Sequence, residues 1–122
     1  NKRKAFQELF ANAVERWTSG QHDGDYIESW SAFTARVREA LRELMRTAEG
    51  RNAVVFTSGG PITAIAQQCL GLSDEKAFDM NWTLLNGGIT QLLYNRSGKV
   101  SLASFNEQQH LAQAGQHFLT YR

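Results

Sequence analysis

Val54-Val55-Phe56-Thr57-Ser58-Gly59-Gly60-Pro61-Ile62 is the stretch that decides the fold. Its apolar start lacks the polar alternation of a half-exposed strand, and it therefore predicts a buried strand over 53–57. Pro61 suits the first position of a helix, where its missing N–H costs nothing, so we predict a helix over 61–70. The Gly-Gly turn permits a close backbone approach, and the free amides of a helix start attract anions. The turn at 58–60 is therefore either an oxyanion site or a connection that serves packing alone.

The composition of the 122-residue chain is ordinary for a globular domain, with 42% hydrophobic and 20% charged residues. This length predicts a single domain over 1–122. A net charge of +1 provides no general attraction to nucleic acid, so we expect no nucleic-acid partner. No apolar run approaches the roughly 18 residues of a membrane span, so we expect no membrane partner. The single cysteine, Cys69, cannot form an internal disulfide, which favours a cytoplasmic location.

Changes in hydrophobic periodicity along the chain predict an α/β fold, with helices packed on a small mixed sheet of about three strands. Apolar residues spaced as on one face of a helix give the predicted helices, which cover 3–18, 29–49 and 61–70. Two further segments, in which apolar and polar residues alternate, predict strands in addition to the one over 53–57. The predicted strands therefore cover 53–57, 88–94 and 99–105. The last two flank a turn at 95–98, and we expect them to form an antiparallel hairpin.

Several polar and aromatic residues outside the glycine turn have both a structural and a functional interpretation. His22 lies beside Asp23 and Asp25, and a solvated loop is favoured over a metal site because no cysteine or further histidine is near. The carboxylates of Asp23 and Asp25 are also typical of the acidic residues that precede a helix, where they interact favourably with the helix dipole. The helix over 29–49 carries Arg36, Arg38, Arg42 and Arg46. A solvated face paired with acidic neighbours is favoured there over a phosphate or nucleic-acid patch. Packing is favoured over a nucleobase platform for Trp17, Trp30 and Trp82.

Five short motifs follow one another between residues 26 and 111. They are Glu28-Ser29, the strand and turn at 53–62, Leu70-Gly71-Leu72, Asn86 to Thr90, and Phe105-Asn106 with His110-Leu111. Their order resembles the C-terminal half of the histidine phosphatase superfamily, whose fold is the phosphoglycerate-mutase-like sandwich. The resemblance implies that this chain forms a partial sandwich of that type. It also places His110 at a family position near the C-terminus, where a structural hydrogen-bonding role is favoured over catalysis.

The chain departs from the family pattern at two points. The nucleophilic histidine of the family lies in an Arg-His-Gly tripeptide, which does not occur around His22, His110 or His117. We expect that tripeptide, a further phosphate-binding arginine and the acidic proton donor to lie in a half that precedes Asn1. The second departure is Ser58, which stands where the family has its second histidine. The run is similar to a Ser-Gly-Gly-Pro-Ile variant found in a bacterial branch of the superfamily.

The resemblance implies that the intact protein acts on a phosphorylated small molecule through a phosphohistidine. This chain would contribute Ser58 and the backbone N–H groups of Gly59 and Gly60 as phosphate-binding groups. Neither a cofactor nor a metal is implied. A serine hydroxyl donates a hydrogen bond but carries no positive charge, so it would stabilise a phosphoryl group less than an imidazolium does. The chain by itself is expected to be inactive.

Two other functions stay open from the sequence, as does the reaction itself. One is a pseudo-enzyme that binds a phosphorylated ligand without chemistry, and the other is an interaction module that uses its helices. Mutases and phosphatases of several substrate classes share this C-terminal pattern. In the family, the strand equivalent to 53–57 is interior, so its open edge here predicts a homodimer. A monomer is expected instead if the helix over 3–18 covers that edge.

Overall fold

The computed structural model describes residues 1–121 and divides the chain into two compact units, Asn1–Val37 and the residues from Arg38 onward. The elements are α1 (Lys2–Thr18), α2 (Trp30–Ala48), α3 (Gly59–Leu70), α4 (Asp74–Asn81), β1 (Ile89–Tyr94), β2 (Val100–Glu107) and α5 (Gln109–Ala114). Short 3₁₀ turns lie at Asp23–Asp25 and Gln116–Phe118. The mixed α/β fold class is thereby confirmed. Within the described residues, no helix is long and apolar enough to cross a membrane.

The first unit is held together by an aromatic cluster. The ring of Trp17 lies 5.1 Å from that of Trp30 and 5.5 Å from that of Phe33, measured between centroids. The Trp17 indole N–H also donates to the Glu28 carbonyl at 2.9 Å, which satisfies its polar atom. The end of α1 is therefore fixed against the start of α2. The earlier apolar residues of α1 are exposed, among them Phe6, Leu9 and Phe10.

Small residues let α3 and α4 approach closely in the second unit. Ala64 and Ala66 on α3 and Ala77 on α4 are buried, and α3 also contacts β2. Thr63 is completely buried, and its hydroxyl donates to the Asn81 side-chain oxygen at 2.9 Å. The hydrogen bond satisfies a polar group that would otherwise be costly to bury. It ties the first part of α3 to the end of α4.

β1 and β2 form the predicted antiparallel hairpin, with Leu92 opposite Leu102. The register shifts near the start of β1, opposite the end of β2. Asn106 lies there with a left-handed φ of 55°. Its side-chain oxygen accepts from the Leu85 N–H at 3.0 Å, and its side-chain amide donates to the Thr83 carbonyl at 2.8 Å. One side chain thus holds the loop that leads into β1.

The predicted buried strand over 53–57 is wrong, and the sheet has two strands rather than about three. In the part of the chain that the structure describes, no strand pairs with this segment. Val54 and Phe56 are 85% and 97% exposed, so the segment is not buried either. The physical reason is that β-forming residues become a strand only beside a hydrogen-bonding neighbour. Here β1 and β2 pair with each other, and among the described residues 53–57 pairs with neither of their outer edges.

Candidate functional site

Ser58 lies between the unpaired segment and α3. Its backbone is extended, with φ −126° and ψ 176°, and its exposed side chain does not cap the helix. The helix begins at Gly59, two residues earlier than predicted, so Pro61 occupies the third helical position rather than the first. The Ser58 hydroxyl is therefore at the surface beside a helix start, where a bound anion would reach it.

Gly59 and Gly60 carry the first amides of this helix. The Ile62 N–H already donates to the Ser58 carbonyl at 3.3 Å, and Pro61 has no N–H to offer. Within residues 1–121, neither glycine N–H has a hydrogen-bond acceptor. The amides at a helix start point out along the helix axis, where the dipole favours negative charge. Two amides and one hydroxyl at this helix start therefore have no acceptor among the described residues; Gly59 is buried, Gly60 is half-buried and Ser58 is exposed.

The two glycines are not required by the backbone conformation. Neither has a positive φ, in contrast to Gly71, which ends α3 in the left-handed region. Glycine inside a helix costs about 1 kcal/mol relative to alanine. What glycine offers at these positions is the absence of a side chain over the amides. The pair therefore suits close approach of a ligand better than it suits helix stability.

The three histidines have separate surroundings. His110 on α5 donates from Nε2 to the Gly87 carbonyl at 2.8 Å, which agrees with the predicted structural role. The ring of His117 lies against that of Phe118, with 4.2 Å between centroids. His22 lies in the first unit, immediately before the turn at Asp23–Asp25. The structure assigns none of them to the glycine turn.

Three of the four arginines of α2, namely Arg36, Arg42 and Arg46, are engaged by carboxylates. Arg36 binds Glu28 through two hydrogen bonds of 2.8 and 2.9 Å, and this guanidinium lowers the pKa of the Glu28 carboxyl. Arg42 pairs with Glu39 at 2.8 Å, and Arg46 pairs with Glu43. The solvated-face interpretation of these arginines is therefore supported. The Arg36–Glu28 pair was missed by the sequence reasoning, which paired the α2 arginines only within their own helix.

Asp25 and Glu28, which precede α2, each form an ion pair with an arginine of the first unit. Arg16 donates to Asp25 and, at 2.9 Å, to the Tyr26 hydroxyl, and it lowers the pKa of the Asp25 carboxyl. No group of three or more metal-binding side chains occurs among the described residues. A wide, open depression is lined by Asp23, Gly24, Tyr26, Ile27, Glu28, Ser29, Ala32 and Arg36. The charged residues that line this depression are either paired with each other or solvated. We therefore place the candidate site at the glycine turn instead.

Comparison with known proteins identifies the family. The model of the histidine phosphatase superfamily (branch 1) matches residues 1–108, which include the whole glycine turn. The match begins before the region of resemblance and so takes in α1, whereas His110 lies beyond it. No curated protein and no solved structure matches the chain. The chain belongs to the histidine phosphatase superfamily.

Proposed function

We propose that this chain provides one wall of the active site of a phosphatase or mutase that acts on a phosphomonoester through a phosphohistidine. In this proposal, the Ser58 hydroxyl and the N–H groups of Gly59 and Gly60 donate to the non-bridging oxygens of the phosphoryl group. The observation that carries it is a set of three donors at one helix start that have no acceptor within residues 1–121, inside the residues matched by the family. Family membership supplies the reaction class.

Ser58 takes the place of the second histidine of the family, as in the Ser-Gly-Gly-Pro-Ile variant branch to which we assign the chain. A hydrogen bond from a charged donor is about twice as strong as one from a neutral donor. The serine therefore holds a phosphoryl group less firmly than an imidazolium would. Weak binding of phosphate, dominated by the two backbone amides, follows from this substitution.

An anion titration followed by NMR tests the site. Adding inorganic phosphate to the 122-residue chain should shift the amide signals of Gly59 and Gly60 before other signals. Gly59→Val should abolish the shifts because its side chain covers the amides, and Ser58→Ala should weaken them. Ser101→Ala is the matched control, because Ser101 is exposed on β2. Shifts centred on another part of the chain, such as the α2 arginines, would contradict the proposed site.

A gain-of-binding variant tests the position of Ser58 more sharply. Ser58→His should tighten binding of sulfate at slightly acidic pH, where the introduced imidazole is protonated, and less so at alkaline pH. Sulfate is the better probe because its charge does not change over this range, whereas phosphate titrates. If Ser58→His leaves sulfate affinity unchanged at both pH values, then residue 58 does not face the anion and the proposal fails.

We propose further that this chain alone does not hydrolyse phosphomonoesters, since it contains no Arg-His-Gly tripeptide. Assay with a generic phosphomonoester should give only background hydrolysis. Turnover that survives in Ser58→Ala would indicate a contaminating phosphatase. Turnover that is lost in Ser58→Ala would contradict the proposed inactivity, because it would show that this chain carries its own nucleophile.

The second candidate function is a pseudo-enzyme that binds a phosphorylated small molecule without chemistry. The same three donors would serve it, so anion binding does not separate the two candidates. The coding sequence upstream of Asn1 does. An apolar strand followed by Arg-His-Gly supports the enzyme, whereas an upstream sequence that lacks the nucleophile supports the binding protein.

We also propose a homodimer in which the segment 53–57 of one copy pairs with the same segment of another. Val54, Val55 and Phe56 expose apolar surface together with backbone groups that pair with no described strand, a combination that favours strand pairing between chains. Sedimentation should show a concentration-dependent dimer, and amides 53–57 should gain protection as it forms. Val55→Lys should shift the chain to monomer, whereas Ile27→Lys, which alters an exposed apolar residue of the first unit, should not. A monomer at high concentration with rapidly exchanging amides at 53–57 would contradict the dimer.

A cytoplasmic location is part of the same proposal. Cys69 is a free, half-buried thiol, and burial raises its pKa, so it stays largely protonated at neutral pH. An unpaired cysteine of this kind fits a reducing compartment.

A further inference from the structure

Asn86-Gly87 is the only place in the sequence where glycine follows asparagine. The pair forms the centre of a tight turn, closed by a 3.1 Å hydrogen bond from the Gly88 N–H to the Leu85 carbonyl. Gly87 has a φ of 75°, as the third residue of a type II turn requires. Both Asn86 and Gly87 are exposed. Solvent therefore reaches the asparagine side chain and the peptide bond that follows it.

We propose that Asn86 is a site of spontaneous deamidation. The Gly87 backbone nitrogen gives its proton to a base in solvent and attacks the side-chain carbonyl carbon of Asn86. A carbon–nitrogen bond forms, the side-chain amide nitrogen leaves as ammonia with a proton from solvent, and a cyclic succinimide results. Water then opens the ring at either carbonyl, which gives aspartate or isoaspartate at residue 86. No oxidant or reductant takes part.

The hydrogen bonds around the turn leave the attacking nitrogen free. Within the described residues, the Gly87 N–H has no acceptor, while the neighbouring Asn86 N–H donates to the Thr120 carbonyl at 2.9 Å. The Asn86 side-chain amide makes one hydrogen bond, of 3.2 Å, to the Thr120 hydroxyl. Glycine also leaves no side chain to hinder ring closure and gives the peptide unit more freedom than other residues do.

Asparagines elsewhere in the second unit lack this combination. The Asn106 side chain is held at both its oxygen and its nitrogen, and glutamate follows it. The Asn95 oxygen accepts from Ser97 and Lys99 in its own turn, and arginine follows it. Asn81 accepts from the buried Thr63, and tryptophan follows it. Asn52 is exposed like Asn86, but alanine follows it, so Asn86 is the asparagine of this unit that combines exposure with a following glycine.

Conversion at this position would alter the contacts that hold the C-terminal segment. Either product adds one negative charge, which changes the formal net charge from +1 to 0. Isoaspartate also lengthens the backbone by one methylene between Leu85 and Gly87. Leu85 forms a β-bridge with Tyr121, and the Gly87 carbonyl accepts a hydrogen bond from His110. Conversion to isoaspartate would thus loosen both contacts as the protein ages.

Incubation of the purified chain at neutral pH and physiological temperature tests the proposal. Trypsin cleaves after Lys76 and Arg96, so one peptide contains Asn81, Asn86 and Asn95 and provides its own comparison. Mass spectrometry should find residue 86 converted before the other two, and a protein isoaspartyl methyltransferase should label the product. Conversion of Asn81 or Asn95 first, or an unchanged Asn86 after prolonged incubation, would overturn the proposal.

A variant pair secures the assignment in the intact chain. Asn86→Gln should lose the acidic species that accumulates on ion exchange, because glutamine forms the equivalent ring far more slowly. Asn52→Gln changes an exposed asparagine that is followed by alanine. This control variant should accumulate the acidic species at the same rate as the parent chain. An acidic species that forms in Asn86→Gln at the parent rate would show that the modification lies elsewhere.

Discussion

Two stretches of the second unit are rich in β-forming residues but have different structures. The residues of β1 and β2 pair with each other, and β2 packs against α3. The segment 53–57 contains two valines and a phenylalanine, yet it is exposed and pairs with no described strand. β-propensity describes how well a side chain suits a pleated surface, and it supplies no hydrogen-bond partner. The comparison teaches that the sheet depends on where partners lie, which composition does not reveal.

The loop that precedes β1 adds a second difference. Its backbone groups are bound by the side chain of Asn106 and, through Gly87, by His110. Leu84 and Leu85 from the same loop are buried. The segment 53–57 has neither kind of restraint. Substitutions in the two regions should therefore differ in their effect on the free energy of unfolding, and the following predictions test that difference.

The largest effect is expected at Leu84, which is 4% exposed. Leu84→Ala should lower the free energy of unfolding by about 2–5 kcal/mol, because burial is lost and a cavity remains. Urea denaturation measures the change. Leu93→Ala, at a leucine of β1 that is 60% exposed, is the control and should cost much less. Equal costs would show that the loop is not part of the core.

Asn106→Ala should cost about 2–4 kcal/mol, since it removes two hydrogen bonds and puts alanine in the left-handed region. Asn106→Gly removes the same hydrogen bonds but accepts the φ of 55° without strain. The difference between the two variants in urea denaturation therefore reports the strain at alanine, offset by the larger conformational entropy that glycine loses on folding. Asn52→Ala, at an exposed position, is the control. If Asn106→Ala matches that control, the side chain does not hold the loop.

Gly88→Ala should cost about 1–3 kcal/mol through crowding. A methyl group at Gly88 would lie 2.7 Å from the Asn106 side-chain oxygen and 3.2 Å from the Leu85 carbonyl oxygen. The Asn106 oxygen cannot move away without losing its hydrogen bond from Leu85. Gly24→Ala is the matched control, because nothing lies within 4 Å of a methyl group there and its φ is not positive. A thermal melt that is unchanged in Gly88→Ala would contradict this packing.

The sequence predicted those features that depend on neighbours close along the chain. The hairpin of β1 and β2 was predicted because its strands flank one turn, so alternation and turn residues define it together. The strand at 53–57 was predicted wrongly because its pairing depends on residues distant along the chain or outside it. Likewise, Pro61 lies at the third helical position because the glycines before it extend the helix.

The candidate site shows the same limit. Its residues were named from a motif, and their family is confirmed by the match over 1–108. The sequence did not indicate that Gly59 and Gly60 would have ordinary helical backbones, nor that Arg36 would bind Glu28 eight residues away. The backbone conformation of the two glycines depends on where α3 starts. The Arg36–Glu28 pair depends on how the chain enters α2. Both are set by three-dimensional geometry that residue spacing alone does not define.

The smallest effect is expected at Phe56, which is 97% exposed. Phe56→Ala removes a large apolar side chain, but that side chain is equally solvated before and after unfolding of the dilute monomer. Folding does not remove the Phe56 side chain from water, so the hydrophobic effect contributes no stability at this position. The free energy of unfolding should therefore change by no more than about 0.5 kcal/mol in urea denaturation. The same variant should nevertheless weaken the proposed dimer, because pairing would bury this side chain. A large loss of stability at low protein concentration would show that Phe56 packs within its own chain, and the contrast between 53–57 and the hairpin would then be wrong.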